Sequence, residues 1–141
     1  MPRKTTFKEH EIKHLEFIQK VIDRMGSNSF QMKSWMLVVA TALLGSFANT
    51  GNKNFVLLAI FPTVIFWFLD SYFLQQERKF RGVYDDVIGN SKDPKPIQPF
   101  TMPIGQYQGG KYSLWDVFTS MTIFTLYGSI IVILLAIYFF L

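Results

Sequence analysis

Three long runs of apolar residues, at positions 34–48, 55–74 and 117–141, divide this chain. An α-helix rises ~1.5 Å per residue and a bilayer core is ~30 Å thick, so a membrane span needs about 20 mostly apolar residues. The second and third runs reach that length directly. The first reaches it when the helix begins at Phe30 and Lys33 extends its ammonium to the headgroups. The pattern therefore predicts an all-α membrane protein with three transmembrane helices.

The segment before the first run has the spacing of an amphipathic helix. Apolar residues recur there at steps of three and four from Ile12 to Met25, and charged residues occupy the other face. Thr6 and Glu9 have the spacing of a capping box, and the Gly-Ser-Asn-Ser segment at 26–29 predicts a helix stop. The apolar stripe needs a partner, for which the membrane surface, a neighbouring subunit and the second helix are the alternatives.

The second apolar run continues into polar sequence without a helix breaker until Gly89, so one helix should extend to about Ile88 with a bend at Pro62. Four prolines and three glycines between positions 91 and 110 predict a loop. Ser113, the cap residue, is then expected to begin the third span. The predicted segments are an amphipathic helix (1–28), a transmembrane hairpin (29–75, with spans 30–49 and 54–75), a helix extension and loop (76–112) and a third transmembrane helix (113–141).

Basic residues are distributed unevenly about the three runs. Thirteen of the fourteen Lys and Arg residues precede the first run or lie between the second and third, and Lys53 alone lies in the first hairpin turn. Short loops rich in Lys and Arg stay in the cytoplasm. We therefore expect an inner-membrane protein with a cytoplasmic N-terminus, a cytoplasmic segment 75–116 and Leu141 outside. Three tryptophans near the inner ends of the spans are the expected interface anchors: Trp35, Trp67 and Trp115.

The remaining composition narrows the function classes. The net charge of +4 follows from this topology and does not predict nucleic-acid binding. The absence of cysteine excludes disulfides and thiol chemistry. We expect no cofactor.

Asp70 is the strongest single signal, because a carboxylate about one turn inside the inner boundary costs a few kcal/mol unless it is paired, protonated or hydrated. A pore-lining or gating charge and a structural ion pair are both open interpretations. The candidate partners are Lys33 and, on a neighbouring subunit, Arg78 or Arg81. Glu77 lies four residues before Arg81, in the order that favours an ion pair along one helix.

Two further patterns have a structural and a functional interpretation. His10 and His14 form a literal H-E-x-x-H, which suits zinc on a helix, but the surrounding charges favour a solvated helix face and no bound metal. Small and hydroxyl residues favour helix packing, with a pore lining as the alternative. These residues are Thr41 and Gly45 on the first span, and Thr122, Thr125, Gly128 and Ser129 on the third.

Positions 66–85, FWFLDSYFLQQERKFRGVYD, look like a segment of a group of small bacterial membrane proteins. Their plan resembles that of the SLATT-type effectors of phage-defence operons: a cytoplasmic helix, a transmembrane hairpin and a helix leaving the membrane. The resemblance covers about residues 8–88 and assigns no site residue. It implies oligomerisation and breach of the inner membrane on a signal from a partner enzyme or a nucleotide. This chain differs in having a third span and no recognisable nucleotide-sensing domain.

These observations favour a non-enzymatic, oligomeric effector or channel-like protein of the inner membrane. Its expected partners are the lipid bilayer, further copies of the chain, and a cytoplasmic protein or nucleotide that provides the signal. The alternative is a membrane anchor that recruits a cytoplasmic partner through the amphipathic helix and the proline-rich loop. A zinc metalloprotease is the remote alternative, and it depends on the histidine motif alone.

Overall fold

The computed structural model describes residues 7–90, 97–98 and 100–141. Within these residues the regular structure is helical, with four α-helices and two single 3₁₀ turns. The helices are α1 (Glu9–Thr50), α2 (Asn54–Ile88), α3 (Leu114–Phe118) and α4 (Met121–Phe140), and the 3₁₀ turns are Ile104–Gln106 and Gly110–Tyr112. Three of the helices, α1, α2 and α4, are long and apolar enough to cross a membrane. The all-helical prediction with three spans is confirmed at this level.

Helix α1 runs for 42 residues without a break, so the helix stop predicted at 26–29 is wrong. Serine and glycine weaken helices because they offer alternative backbone conformations or local hydrogen bonds. In the fold, the hydroxyl of Ser29 is instead donated to Asp70 of α2. A Cβ added at Gly26 would lie 3.6 Å from the Glu77 carboxylate of α2, which is an ordinary van der Waals contact. These tertiary contacts support the helix where its local sequence is weak.

The third apolar run forms two helices instead of one. Ser113 flanks the five-residue α3, and the chain leaves helical geometry at Thr119 before Ser120 begins α4. The backbone carbonyl of Phe118, at the end of α3, accepts a hydrogen bond of 3.1 Å from Trp67 Nε1. The interruption of the helix thus has a side-chain partner on α2, and the expected single helix from 113 to 141 is corrected.

Glycines in the left-handed conformation end the first two helices. Gly51 follows α1 with φ of 69°, and Gly89 follows α2 with φ of 72°. Helix α2 continues through Pro62. At the other end of α1, the Glu11 carboxylate accepts a hydrogen bond from the Lys8 backbone. Thr6 of the expected capping box and part of the expected loop, residues 91–96 and Pro99, lie outside the described residues.

Three apolar clusters lie along the helices. The first lies near the turn between α1 and α2. It joins Val56 and Ala59 of α2 to Leu134 of α4, with Phe47 of α1 packed against them. The middle cluster is built on α1, α2, α3 and α4, with Met36, Trp67, Val117, Ile123 and Tyr127. The third cluster packs Ile18, Ile22, Val83 and Tyr107 together. Burying a large side chain away from water contributes about 1.5–3 kcal/mol, and this gain applies to the third cluster. The other two clusters lie between the long apolar segments, where close packing provides the stabilisation if lipid surrounds the helices.

The third cluster belongs to a part of the structure that we call the polar module. It consists of residues 9–28 of α1, residues 76–88 of α2 and the described residues between 97 and 113. Within it, the apolar stripe of α1 packs against α2 and against side chains of the loop, such as Met102 and Tyr107. Of the three partners considered for the stripe, the second helix therefore covers it, together with the loop.

Candidate functional site

A buried charge network joins the three long helices. The side chain of Asp70 on α2 is 0% exposed, and the Lys33 ammonium of α1 lies 2.6 Å from its Oδ2. Tyr127 of α4 donates its hydroxyl to the same oxygen at 2.9 Å. Ser29 of α1 donates to Oδ1, and Lys33 Nζ in turn donates to the Ser29 hydroxyl at 3.0 Å. One carboxylate thus has three partners on two other helices.

The helices position these groups in different ways. Ser29 and Lys33 are four residues apart on α1, so they project from the same face. Asp70 lies 41 positions after Ser29 in the chain, and Tyr127 lies 57 positions after Asp70. The α1–α2 hairpin and the packing of α4 on α2 bring them together. Ser71, next to Asp70, is also 0% exposed and returns its hydroxyl to the Trp67 carbonyl at 2.8 Å.

The bonds of this network are suited to stabilising the packing of the three helices. A buried ion pair repays its desolvation only when the geometry is good and further hydrogen bonds satisfy the carboxylate. Both oxygens of Asp70 have such partners here. A carboxylate enclosed to this extent contacts a solute or ion only if the helices move apart. The network therefore favours one arrangement of α1, α2 and α4. A shift of any one of these helices is unfavourable because it breaks bonds to Asp70.

The other candidate charges lie in separate pairs. Arg78 is 3.0 Å from Asp116 of α3, and Arg81 is 2.7 Å from Glu77 on its own helix. Neither arginine contacts Asp70 within the chain. Of the three candidate cations, Lys33 is the one next to Asp70, and the pair forms inside a single chain.

The three tryptophans occupy different environments. Trp35 and Trp115 are 58% and 73% exposed, as side chains at an interface would be. Trp67 is 9% exposed and stacks on Phe118 at 4.2 Å between ring centroids. The Trp67 ring also lies nearly parallel to the Tyr127 ring, at 6.0 Å between centroids. Trp67 thus packs between α2, α3 and α4, and its role as an interface anchor stays a prediction.

The small and hydroxyl residues face outward in the single chain. Five of the six are exposed, and Gly128 is half-buried: the exposed ones are Thr41, Gly45, Thr122, Thr125 and Ser129. Nothing lies within 4 Å of the position of an added Cβ at Gly45. On α4, an open groove of about 520 Å³ is lined by Phe124, Thr125, Gly128, Ser129, Val132 and Ile133. These residues do not pack helices within one chain.

The two histidines of the H-E-x-x-H motif differ in environment. His10 is exposed, but His14 is 2% exposed, so the expected solvated face is wrong for it. His14 Nε2 donates to the carbonyl of Thr101 at 2.6 Å, and its ring lies 6.0 Å from that of Phe100. The part of the chain that the structure describes contains no group of three His, Cys, Asp or Glu side chains able to hold a metal. His14 is a contact between α1 and the loop.

Sequence reasoning missed the tyrosines that attach the loop to the helices. Tyr107 is 3% exposed and donates its hydroxyl to Asp86 of α2. Burial, followed by this hydrogen bond, raises the pKa of the Tyr107 hydroxyl well above its usual value. Tyr112 contacts the Tyr107 ring at 5.4 Å, and its carbonyl accepts a bond of 2.9 Å from Gln75. Two tyrosines in a loop rich in Pro and Gly were the available signal.

Comparison of this chain with family models, with curated proteins and with solved structures found no match.

Proposed function

We propose that this chain is a non-enzymatic inner-membrane protein whose copies associate through their lipid-facing helix surfaces and whose assembly permeabilises or depolarises the membrane. The observation that carries the proposal is the outward position of its small and hydroxyl side chains. Helices in lipid associate by close packing at small residues and by hydrogen bonds, since lipid tails are as apolar as leucine. Gly45 and the groove at Gly128 leave the space that such an approach requires.

The same surfaces carry hydroxyl groups, which contact with apolar lipid tails does not explain. Within the single chain, the Ser129 hydroxyl donates to the Thr125 carbonyl at 2.5 Å, and the Ser46 hydroxyl donates to the Ala42 carbonyl at 3.1 Å. In an assembly, hydroxyls on facing helices are available to line a narrow polar path. This supports a channel-like function over a purely structural one.

Signal reception is assigned to the polar module. Helices α1 and α2 each continue from the module into the apolar part of the molecule without a break. A displacement at the module therefore reaches the Lys33–Asp70 pair through continuous helix. We propose that the module is cytoplasmic, as the distribution of basic residues predicts, and that a cytoplasmic protein or nucleotide acts on it, as in anti-phage effectors.

The absence of cysteine makes a direct test simple. Single-cysteine variants Gly45→Cys and Ser129→Cys should each form disulfide-linked dimers in membranes, and vesicles containing the protein should discharge a potential-sensitive dye. Gly128→Leu should block both effects by filling the groove. Ala136→Leu is the control, because Ala136 is an exposed small residue of the same helix outside the groove lining. Monomeric protein with full dye discharge would contradict the proposal.

A membrane anchor is the second candidate, and one observation favours it. Phe17 of α1 and Phe100 of the loop are 51% and 53% exposed and meet edge to face at 6.0 Å on the polar module. Two exposed aromatic rings in contact are suited to a protein partner. An anchor leaves the membrane potential unchanged even when its partner is present, so the dye measurement in cells separates the two functions.

A further inference from the structure

A cleft at the base of the polar module gathers basic side chains. Its volume is about 420 Å³, within the range of ligand sites. The lining residues are Arg78, Arg81, Gly82, Asp85, Lys111 and Asp116. Three cations and two carboxylates give the lining a formal charge of +1. The cleft is separate from the buried network around Asp70, and the proposed assembly does not use it.

The cations are positioned to act together. Arg78 and Arg81 are three residues apart on α2, so they project from one face, and Lys111 approaches from the 3₁₀ turn of the loop. Arg78 also donates to the Lys111 carbonyl at 2.9 Å, which ties that turn to α2. The ammonium of Lys111 lies 5.2 Å from the centre of the Tyr112 ring, and no carboxylate within the described residues forms a salt bridge with it. A cation without a carboxylate is thus available at the mouth of the cleft.

The existing ion pairs do not close the cleft to an anion. In the Arg78–Asp116 pair the two side chains are 27% and 55% exposed, and in the Arg81–Glu77 pair they are 59% and 14% exposed. Each pair thus has one solvent-exposed member, and water weakens such a pair relative to a fully buried one. A phosphate offers more acceptors than one carboxylate, and it matches the planar fork of a guanidinium. It can therefore replace Asp116 at Arg78 while also reaching Lys111.

The position of the cleft indicates where such a phosphate is found. Asp116 of the lining directly follows Trp115, which is 73% exposed, and Leu114 beside it is 37% exposed. Trp115 lies in the short helix α3, which precedes the apolar helix α4, and an exposed tryptophan next to an apolar span is typical of the headgroup layer of a bilayer. Basic pockets at this level bind anionic lipid headgroups.

We infer that the cleft formed by Arg78, Arg81 and Lys111 binds a phosphate group, presented by the headgroup of an anionic phospholipid. The structure thereby assigns a lipid-binding role to the junction of α2, the loop and α3. A lipid seated there contacts all three elements, so it stabilises the attachment of the loop to the helices.

The test uses purified full-length protein in detergent, with phosphatidylglycerol and inorganic pyrophosphate as separate probes and phosphatidylcholine as the neutral control. Native mass spectrometry counts retained lipid, and calorimetry measures pyrophosphate. We expect retention of phosphatidylglycerol over phosphatidylcholine, weakened about five-fold by Lys111→Gln, since each basic residue near an anionic surface contributes a comparable factor. Lys20→Gln removes the same charge from an exposed position of the module outside the cleft and should have no effect.

A second pair of variants tests gain of binding, so that a damaged fold cannot imitate the result. Asp116→Asn removes the carboxylate that competes for Arg78 and should strengthen phosphatidylglycerol binding several-fold. Glu16→Gln, on the exposed face of α1, makes the same charge change and should not.

The two probes distinguish the sources of phosphate. Lipid binding that depends on Lys111 and Asp116, without pyrophosphate binding, supports a headgroup site. Pyrophosphate binding with the same dependence supports the phosphate site but assigns it to a soluble ligand. Equal effects of the cleft variants and their controls, or binding of neither probe, would overturn the inference.

Discussion

The ammonium of Lys33 lies 2.6 Å from the carboxylate of Asp70, yet the two side chains differ in exposure, at 23% and 0%. The lysine retains a route to water or headgroups along its flexible stem, whereas the aspartate has none. The pair is therefore asymmetric. Loss of the lysine abandons a buried charge, and loss of the aspartate leaves a charge that can move outward.

This asymmetry gives the first prediction. Lys33→Met should lower the free energy of unfolding by about 3–5 kcal/mol, the usual effect of breaking a buried pair. Asp70→Asn should lower it by less, and the double variant Lys33→Met, Asp70→Leu should regain most of the loss. Thermal unfolding in detergent measures all three.

The matched control for this prediction is Lys13→Met. Lys13 lies 4.0 Å from Glu9, but both side chains are mostly exposed, so the change should stay within about 0.5 kcal/mol. Equal losses of unfolding free energy for Lys13→Met and Lys33→Met would show that the Asp70 network does not stabilise the packing of the three helices.

Gly82 provides the second prediction. A Cβ added there lies 2.6 Å from the Tyr112 hydroxyl and 2.8 Å from the Tyr107 ring, which is fixed by burial. Gly82→Ala should displace the loop, destabilise the protein by about 1–3 kcal/mol and speed proteolysis between residues 97 and 113. Gly105→Ala is the control, because nothing lies within 4 Å of its Cβ position. Identical proteolysis of the two variants would contradict the tight contact.

Tyr107 predicts a dependence on alkaline pH. Burial and the bond to Asp86 raise the pKa of its hydroxyl in the folded protein, so the folded state holds this proton at pH values where the unfolded state has lost it. The stabilisation is complete below the unfolded pKa of about 10 and falls as the pH rises above it. Tyr107→Phe should be less stable by about 1–3 kcal/mol at pH 7, and it should lose less stability than the wild type above pH ~10.

The control for that measurement is Tyr84→Phe. Tyr84 packs against the same cluster but is only half-buried. Both variants are measured over the same pH range, so that the effect of removing the Tyr107 bond to Asp86 is separated from the loss of a tyrosine hydroxyl near the cluster. Parallel pH curves for wild type and Tyr107→Phe would show that Tyr107 does not cause the loss.

The histidine pair is expected to act in structure and not in catalysis. His14→Ala removes a buried bond to the Thr101 carbonyl and should cost about 1–3 kcal/mol of stability. His10→Ala, at an exposed position, should stay within about 0.5 kcal/mol. Zinc analysis of the double variant should match that of the wild type. Stoichiometric zinc that disappears with the two histidines would restore the metalloprotease alternative.

Membrane orientation is tested by single cysteines in intact cells. Asn49→Cys, at the end of α1, and Leu141→Cys should react with a membrane-impermeant thiol reagent. Ser27→Cys and Gln98→Cys, both at exposed positions of the polar module, should react only after the cells are opened. Labelling of Gln98→Cys in intact cells would overturn the cytoplasmic position of the loop.

The helical class and the number of long apolar helices could be predicted from the sequence, because length and hydrophobicity are local properties of a segment. It also indicated the glycine that ends α2, since Gly89 allows a backbone conformation that other residues avoid. Asp70 stood out for the same kind of reason, as a single charge within an apolar run. These features need no knowledge of the neighbouring helices.

The contacts between distant groups could be read only from the folded structure. In it, Lys33, Ser29 and Tyr127 contact Asp70. Helix α1 continues through Gly26 and Ser29. The third apolar run is interrupted where Trp67 donates to the Phe118 carbonyl. The folded structure also showed that His14, expected in solvent, is buried, and that Tyr107 of the loop is buried against α2. The physical reason is that weak local preferences, of about 1 kcal/mol per residue, yield to buried hydrogen bonds and packing between segments far apart in the chain.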